Sequence, residues 1–300
     1  MSRRNALSGV SRRILGIVLS VLSALAIAKG QTYPGKGMVL KVSPPNKTIV
    51  LSCQAIPGYM EAMVMPFQVL DPRQLDGLMP GTTIGFNLVV GKDSSYLQDI
   101  HALTYQGLEV DPLTARRLRL LDQAANPSAA TMKPLAIGQQ VPNFTLLDQN
   151  RRRITFSSLT KKVVALDFVY TRCALPDFCF RTSNNFGRLQ KRFKDRLGRD
   201  LVLLTVTFDP AHDQPDVLLK YAAIWKADAR SWHFLTGPVP EVQRVCNLFG
   251  MDFFQDEGLF NHTLHTVVID RTGKLVANLE GNQFTADQLG DLVGTVMDSR

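Results

Sequence analysis

The stretch Val163-Val-Ala-Leu-Asp-Phe-Val-Tyr-Thr-Arg-Cys-Ala-Leu-Pro-Asp-Phe-Cys-Phe180 decides the fold. Val163 to Tyr170 is an apolar run with the length and β-branched content of a strand buried on both faces. It breaks into a short turn that carries Cys173 and Cys179. A segment with Phe186, Leu189 and Phe193 at helical spacing follows. The stretch therefore predicts a buried strand that delivers two thiols to the start of a helix.

Residues six apart sit on different faces of a helix, so the two thiols converge only if the residues between them form a loop. Pro176 supports the loop, because proline disfavours helix at the residue before it and suits a first helical turn. Asp177 then serves as N-cap and places Cys179 in the first turn. The helix dipole and free N–H groups there predict a lowered Cys179 pKa. The chain has four cysteines, and two share this loop. That favours a functional pair; a structural disulfide or two inert buried thiols are the alternatives.

Around this stretch, strands and helices alternate in an α/β pattern. Strands are expected at Phe144–Asp148, Val163–Tyr170, Leu201–Phe208 and Trp232–Leu235, with a hairpin of Leu264–Asp270 and Leu275–Leu279 around Thr272-Gly273. Helices are expected after Cys179 to about Arg196, and at Pro215–Lys226, Glu241–Phe249 and Thr285–Met297. Cys246 lies beside Val242, Leu248 and Phe249 and reads as a core residue.

The motif Phe168-x-Tyr170-Thr171-Arg172-Cys173 … Cys179, then Thr205-Val-Thr-Phe-Asp209-Pro210, then Asn261-His262-Thr263, resembles the Sco/SenC family. These are thioredoxin-like copper proteins that help assemble the copper centre of cytochrome c oxidase. The family usually has three residues between its cysteines and a proline after each. Here there are five, and Ala174 and Phe180 stand in place of the prolines. The resemblance covers about residues 135 to 300 and implies metal ligands Cys173, Cys179 and His262. Two thiolates and an imidazole suit both Cu(I) and Cu(II). Asp209 matches a family aspartate, with a supporting role beside the ligands or a helix cap before Pro215 as its two readings. His262 lies just before a strand, where thioredoxin folds usually have a cis-proline; no proline follows Pro240. His101, His212, His233 and His265 read as packed or surface residues.

Residues 1–28 hold Arg3, Arg4, Arg12 and Arg13, then an uncharged apolar run from Ile14 and a small-x-small site, Ala26-Ile-Ala28. This is the pattern of a signal peptide, and an uncleaved membrane anchor is the alternative. Export predicts a periplasmic protein, secreted across or anchored to the inner membrane. Without these residues the basic count falls from 34 to 30 against 26 acidic residues, a net charge of +4. That is too small to argue for nucleic acid. The cluster Arg188, Lys191, Arg192, Lys194, Arg196 and Arg199 reads as a solvated helix face.

The β-rich runs Gly37–Val42, Thr48–Ser52, Phe67–Leu70 and Thr83–Val90 predict a small antiparallel barrel within residues 29–105. Met63 and Met65 are two apart and point to one side of a strand, which makes them soft donors for Cu(I) or Ag(I) or simply core filler. This segment, with Gly35-Lys-Gly37 before it and Pro80-Gly81 after it, resembles the periplasmic copper- and silver-binding CusF family, whose domain is an OB-like barrel. Met63 and Met65 match that family's methionine ligands, and Cys53 stands about where its histidine is expected. Residues 106–134 read as a linker, and residues 135–300 as the α/β thioredoxin-like domain.

Three functions follow. One is a copper-binding assembly factor that serves the copper-centre subunit of cytochrome c oxidase. Another is a thiol–disulfide oxidoreductase without stable metal. The last is a copper- or silver-tolerance protein. A disulfide form of the pair would need an upstream periplasmic thiol reductant.

Overall fold

The computed structural model describes residues 31–92, 94–104, 133–173, 176–256 and 259–299. The expected signal segment, residues 1–28, and all but the last two residues of the expected linker lie outside them.

Five strands close a barrel in the order β1-β2-β3-β5-β4: β1 (Gln31–Ser43), β2 (Thr48–Cys53), β3 (Met63–Val69), β4 (Thr83–Val90) and β5 (Ser95–Ala102). Closure leaves no free sheet edge. The interior holds Val39, Ile49, Leu51, Phe67, Ile84, Phe86 and Leu97, the inward set of an alternating pattern. Three sequence expectations fell short here, the first being an all-antiparallel barrel, since β3 and β5 run parallel. β3 begins at Met63 rather than Phe67, and β5 was missed because its burial pattern is mostly exposed or half-exposed, which leaves no apolar alternation.

The second unit is a seven-stranded sheet in the order β14-β13-β8-β9-β10-β6-β7. Its strands are β6 (Thr145–Asp148), β7 (Arg153–Thr155), β8 (Val163–Val169), β9 (Leu201–Thr207), β10 (Trp232–Thr236), β13 (His265–Ile269) and β14 (Leu275–Glu280). β8, β9 and β10 are parallel, while β13 runs antiparallel to β8 and β14 antiparallel to β13. A separate two-stranded ribbon, β11 (Phe253–Asp256) with β12 (Leu259–His262), stands beside the sheet.

The helices are α1 (Arg181–Arg192), α2 (Pro215–Ile224), α3 (Val239–Leu248) and α4 (Ala286–Asp298). Phe186 and Leu189 of α1 are fully buried with Leu203, Leu218, Leu289 and Val293. Val242, Val245 and Cys246 of α3 pack on the other face with Leu166, Phe168 and Leu204. Every residue of β8 and β9 is buried, because both faces of the sheet are covered. The fold is thus an α/β thioredoxin-like domain preceded by a small all-β OB-like barrel.

Arg188 and Arg192 of α1, and Arg196 just beyond it, are not simply a solvated face. Arg188 reaches Asp287 at 3.4 Å, Arg192 reaches Asp291 at 2.6 Å and Arg196 reaches Asp298 at 2.9 Å. They form a ladder that ties α1 to α4.

Phe186→Ala should cost about 3–5 kcal/mol, the usual price of an aromatic deleted from a packed core. Leu219→Ala, at a side chain 49% exposed, should change stability by less than about 0.5 kcal/mol. Denaturant unfolding of the two variants beside the parent checks the contrast.

Candidate metal and redox site

β8 ends at Val169, and Tyr170 to Cys173 turn over the rim of the sheet, with Cys173 N–H donating to Tyr170 O at 3.2 Å. The turn is clamped from the loop after β9. The Asp213 carboxylate, fully buried, accepts Thr171 N–H at 3.0 Å, Thr171 Oγ1–H at 2.5 Å and Thr207 Oγ1–H at 2.6 Å. Arg172 pairs with Asp209 at 2.7 Å. Asp209 therefore holds the residue next to Cys173, while Gln214 is the N-cap residue of α2.

Between the cysteines, Pro176 to Phe180 form one wide turn with Phe178 off helical geometry (φ −110°, ψ −113°), and regular helix starts only at Arg181. The N-cap position of α1 is Phe180, not Asp177, so Cys179 sits one residue ahead of the cap. The expected drop in the Cys179 pKa is not found. Its thiol is held well above the ordinary value, first by a hydrogen bond with Cys173 and then by burial. Away from helical N–H groups, the dipole argument loses to the hydrogen bond with the second sulfur and then to desolvation.

His262 ends β12, and its Nδ1 lies 2.8 Å from Thr263 O. A carbonyl only accepts, so Nδ1 carries the proton, and Nε2 is the ring nitrogen that can donate to a metal. The imidazole stands among the rings of Phe208, Tyr170 and Phe178 at centroid distances of 4.8, 5.9 and 6.2 Å. Tyr170 is the shared neighbour, since its hydroxyl also interacts with Cys173 and is pushed up to about 12 by burial and then by the cysteines. The structure thus brings the two thiols together and sets His262 against the aromatic wall around them. It does not draw all three donors to within 4.8 Å of one another. Among the described residues, the group that meets that distance is Asp209, His212 and Asp213. Those carboxylates are already engaged by Thr171, Thr207 and Arg172, which makes the group an internal brace.

The remaining histidines and Cys246 are packed or paired. His233 meets buried Asp148 at 3.3 Å, His265 meets Asn278 at 2.9 Å and His212 meets Asp213 at 2.9 Å. His101 is exposed, with Nδ1 2.9 Å from Asp99 O. Cys246 is fully buried, and burial pushes its thiol up.

In the barrel, Cys53 pairs in register with Met63, and Leu51 with Met65, so all four side chains point inward. Cys53 lies in the barrel core, and burial pushes its thiol up to about 12. Met65 is half-buried against that core, whereas Met63, at the mouth, is 48% exposed.

Asp167 escaped the sequence reading. It is fully buried in β8 between Thr205 of β9 and Thr266 of β13. Burial pushes its pKa up to about 8, and the neighbouring Thr205 hydroxyl offsets this only in part. A single acid inside an apolar run was the signal that marked it.

A family model described as SCO1/SenC matches residues 134–297, more than half of the chain, and the chain belongs to that family. A model described as "Copper binding periplasmic protein CusF" matches residues 32–102. The SCO1 protein homolog of Bacillus subtilis is 30% identical over 101 residues, 34% of this chain and 51% of that protein. Protein sco1 of Schizosaccharomyces pombe is 24% identical over 165 residues, 52% and 60% of the two chains. The chain thus spans between half and two thirds of these relatives' length. Among solved structures, yeast Sco1 with copper bound aligns with 25% identity and a TM-score of 0.46, over 55% of this chain and 91% of that one.

Asp167 carries a pH prediction. Its folded pKa lies above the unfolded value, so the folded state binds the extra proton between about pH 4 and 8. Stability is then full below about pH 4 and falls as pH rises to 8, by at most about 1.4 kcal/mol per pH unit. Asp167→Asn removes the proton and keeps the shape. Its denaturant midpoint should exceed the parent's at pH 8 and depend less on pH; equal slopes for the two proteins would contradict the assignment.

Proposed function

We propose that the protein is a copper-binding assembly factor working outside the cytoplasm, with residues 1–28 as its export signal or anchor. Residues 29–105 form a CusF-like domain, 106–134 a linker and 135–300 the Sco/SenC domain. Cys173, Cys179 and His262 are the proposed ligands. The observation that carries the reading is the contact between the two thiols, with the His262 imidazole standing against Tyr170, which itself meets Cys173. Two soft sulfurs favour Cu(I), and the imidazole extends the set to Cu(II). Copper is the cargo, and its destination is the copper-centre subunit of cytochrome c oxidase. A disulfide between Cys173 and Cys179 removes both thiolates, so loading depends on an upstream thiol reductant. Asp213 and Asp209 fix the turn that presents Cys173.

A second reading rests on one observation. The thiols already touch while His262 is not drawn within 4.8 Å of both, a geometry that also suits thiol–disulfide exchange without metal. In the tolerance reading, Met63 and Met65 sequester Cu(I) or Ag(I), with Cys53 behind them.

The full chain separates these functions. Cys173→Ser, Cys179→Ser and His262→Ala, each in a Met63→Leu/Met65→Leu background, should all lose copper retention and the Cu(II)–thiolate absorption. A His262→Ala protein that binds copper like its parent transfers the case to thiol exchange. The leucines conserve volume and should leave folding intact.

Binding should also depend on pH. Both thiols must shed protons to bind, so apparent affinity should rise by about tenfold per pH unit for each proton released. A pH-independent affinity would rule out thiol ligands.

A further inference from the structure

Tyr170 follows the last residue of β8 and is 3% exposed. It touches all three proposed ligands. Its carbonyl accepts Cys173 N–H at 3.2 Å. Its own N–H donates to the sulfur of Cys179, a contact that favours the thiolate. Its hydroxyl meets Cys173, and its ring stands at 82° to the His262 imidazole with centroids 5.9 Å apart.

The hydroxyl has a second partner. The backbone of Phe260 bonds to it in the sense that favours the ionised oxygen, which only a donated N–H does. That leaves the hydroxyl hydrogen for Cys173, whose sulfur can only accept once it is a thiolate or holds a metal. Phe260 and His262 both lie in β12, and the Phe260 ring packs on Tyr170 at 5.3 Å. β12 pairs with β11 in the separate ribbon, and the main sheet resumes only at His265. The ladder of the main sheet therefore does not itself fix where the His262 imidazole stands. The aromatic cluster does, and within it the Tyr170 hydroxyl is a polar group that meets both the ribbon and a sulfur.

We propose that Tyr170 is a positioning residue: its hydroxyl ties the sulfur of Cys173 to the ribbon that carries His262, and so keeps the imidazole where a Cu(II) ion on the two sulfurs can recruit it. The inference rests on the copper reading above. Its effect differs between the two oxidation states. Two thiolates suffice for Cu(I), whereas Cu(II) draws on the imidazole as well. Losing the tie should therefore weaken Cu(II) binding and spare Cu(I) binding. A hydroxyl that acted on the sulfur alone would do the reverse. It draws charge from the thiolate, so its removal would make the sulfur a stronger donor and strengthen Cu(II) binding. The two roles carry opposite signs.

Tyr170→Phe tests this in the full-length, reduced protein, because it removes the hydroxyl and keeps the ring. The metal-free protein is read first, by amide hydrogen exchange. The Phe260 amide should exchange about fivefold faster than in the parent, as expected for the loss of one hydrogen bond, while the amides of β8 keep their rates. An unchanged Phe260 amide overturns the tie, and so does a rise shared by β8, which marks general loosening. Cu(I) and Cu(II) are then titrated separately, with parent and variant both in a Met63→Leu/Met65→Leu background so that the barrel methionines do not compete. Cu(II) affinity should fall about tenfold, the usual effect of losing a residue that orients a ligand, while Cu(I) affinity should stay within about twofold. Equal losses for the two ions mark a merely structural role, and a rise in Cu(II) affinity marks an effect on the sulfur alone; either overturns the proposal. A parent that takes up neither ion defeats the copper reading itself. A parent that binds both, with Tyr170→Phe binding them alike, defeats the positioning role alone.

Discussion

The constraint on which the rim depends is the burial of β8 on both faces. A strand with no exposed residue has one register and little freedom, so Tyr170 to Cys173 emerge at a fixed point and in a fixed direction. The Asp213 carboxylate extends that rigidity past the end of the strand. A buried carboxylate needs several donors to repay its lost hydration, and here Thr171 supplies two and Thr207 one. The need of Asp213 for partners and the need of Cys173 for a fixed position are met by the same bonds.

Much of this was legible in the sequence because it lies in contiguous, periodic stretches. The run Val163–Tyr170, the spacing of Phe186 and Leu189, and the hairpin around Thr272-Gly273 each carry their own signal. What was missed depends on contacts between distant segments. Asp213 reads as a loop acid until Thr171 is seen above it. The ribbon β11–β12 holds Phe253, Gln255, Phe260 and His262 without apolar alternation, and its position follows from the aromatic cluster of Tyr170, Phe208, Phe253 and Phe260. His262 was found by motif, but its place at a strand end was not.

The Cys179 error shows why local rules fail at a functional turn. Pro176 and Asp177 carry ordinary signals of a helix start, and the chain declines to use them. Pro176 to Phe180 form a wide turn, and regular helix begins only at Arg181. The cost is an irregular backbone at Phe178; the gain is contact between the two sulfurs.

The barrel shows the converse case, in which a pattern is correct locally and incomplete globally. Met38-Val-Leu-Lys-Val42 reads as a strand with one face inside, and Val39 is indeed inside the barrel. Met38 and Leu40 point the other way and should face water in an isolated barrel, yet they are buried. A strand apolar on both sides needs cover on both sides, and α4 with β14 provides the second cover. The same logic explains Arg188 and Arg192 of α1 and Arg196 just beyond it. Their partners Asp287, Asp291 and Asp298 line α4, and Asp291 also meets Ser52 of the barrel. Surface ion pairs of this kind contribute little stability each. Their effect here is to fix α4 against α1, which sets the platform on which the barrel sits.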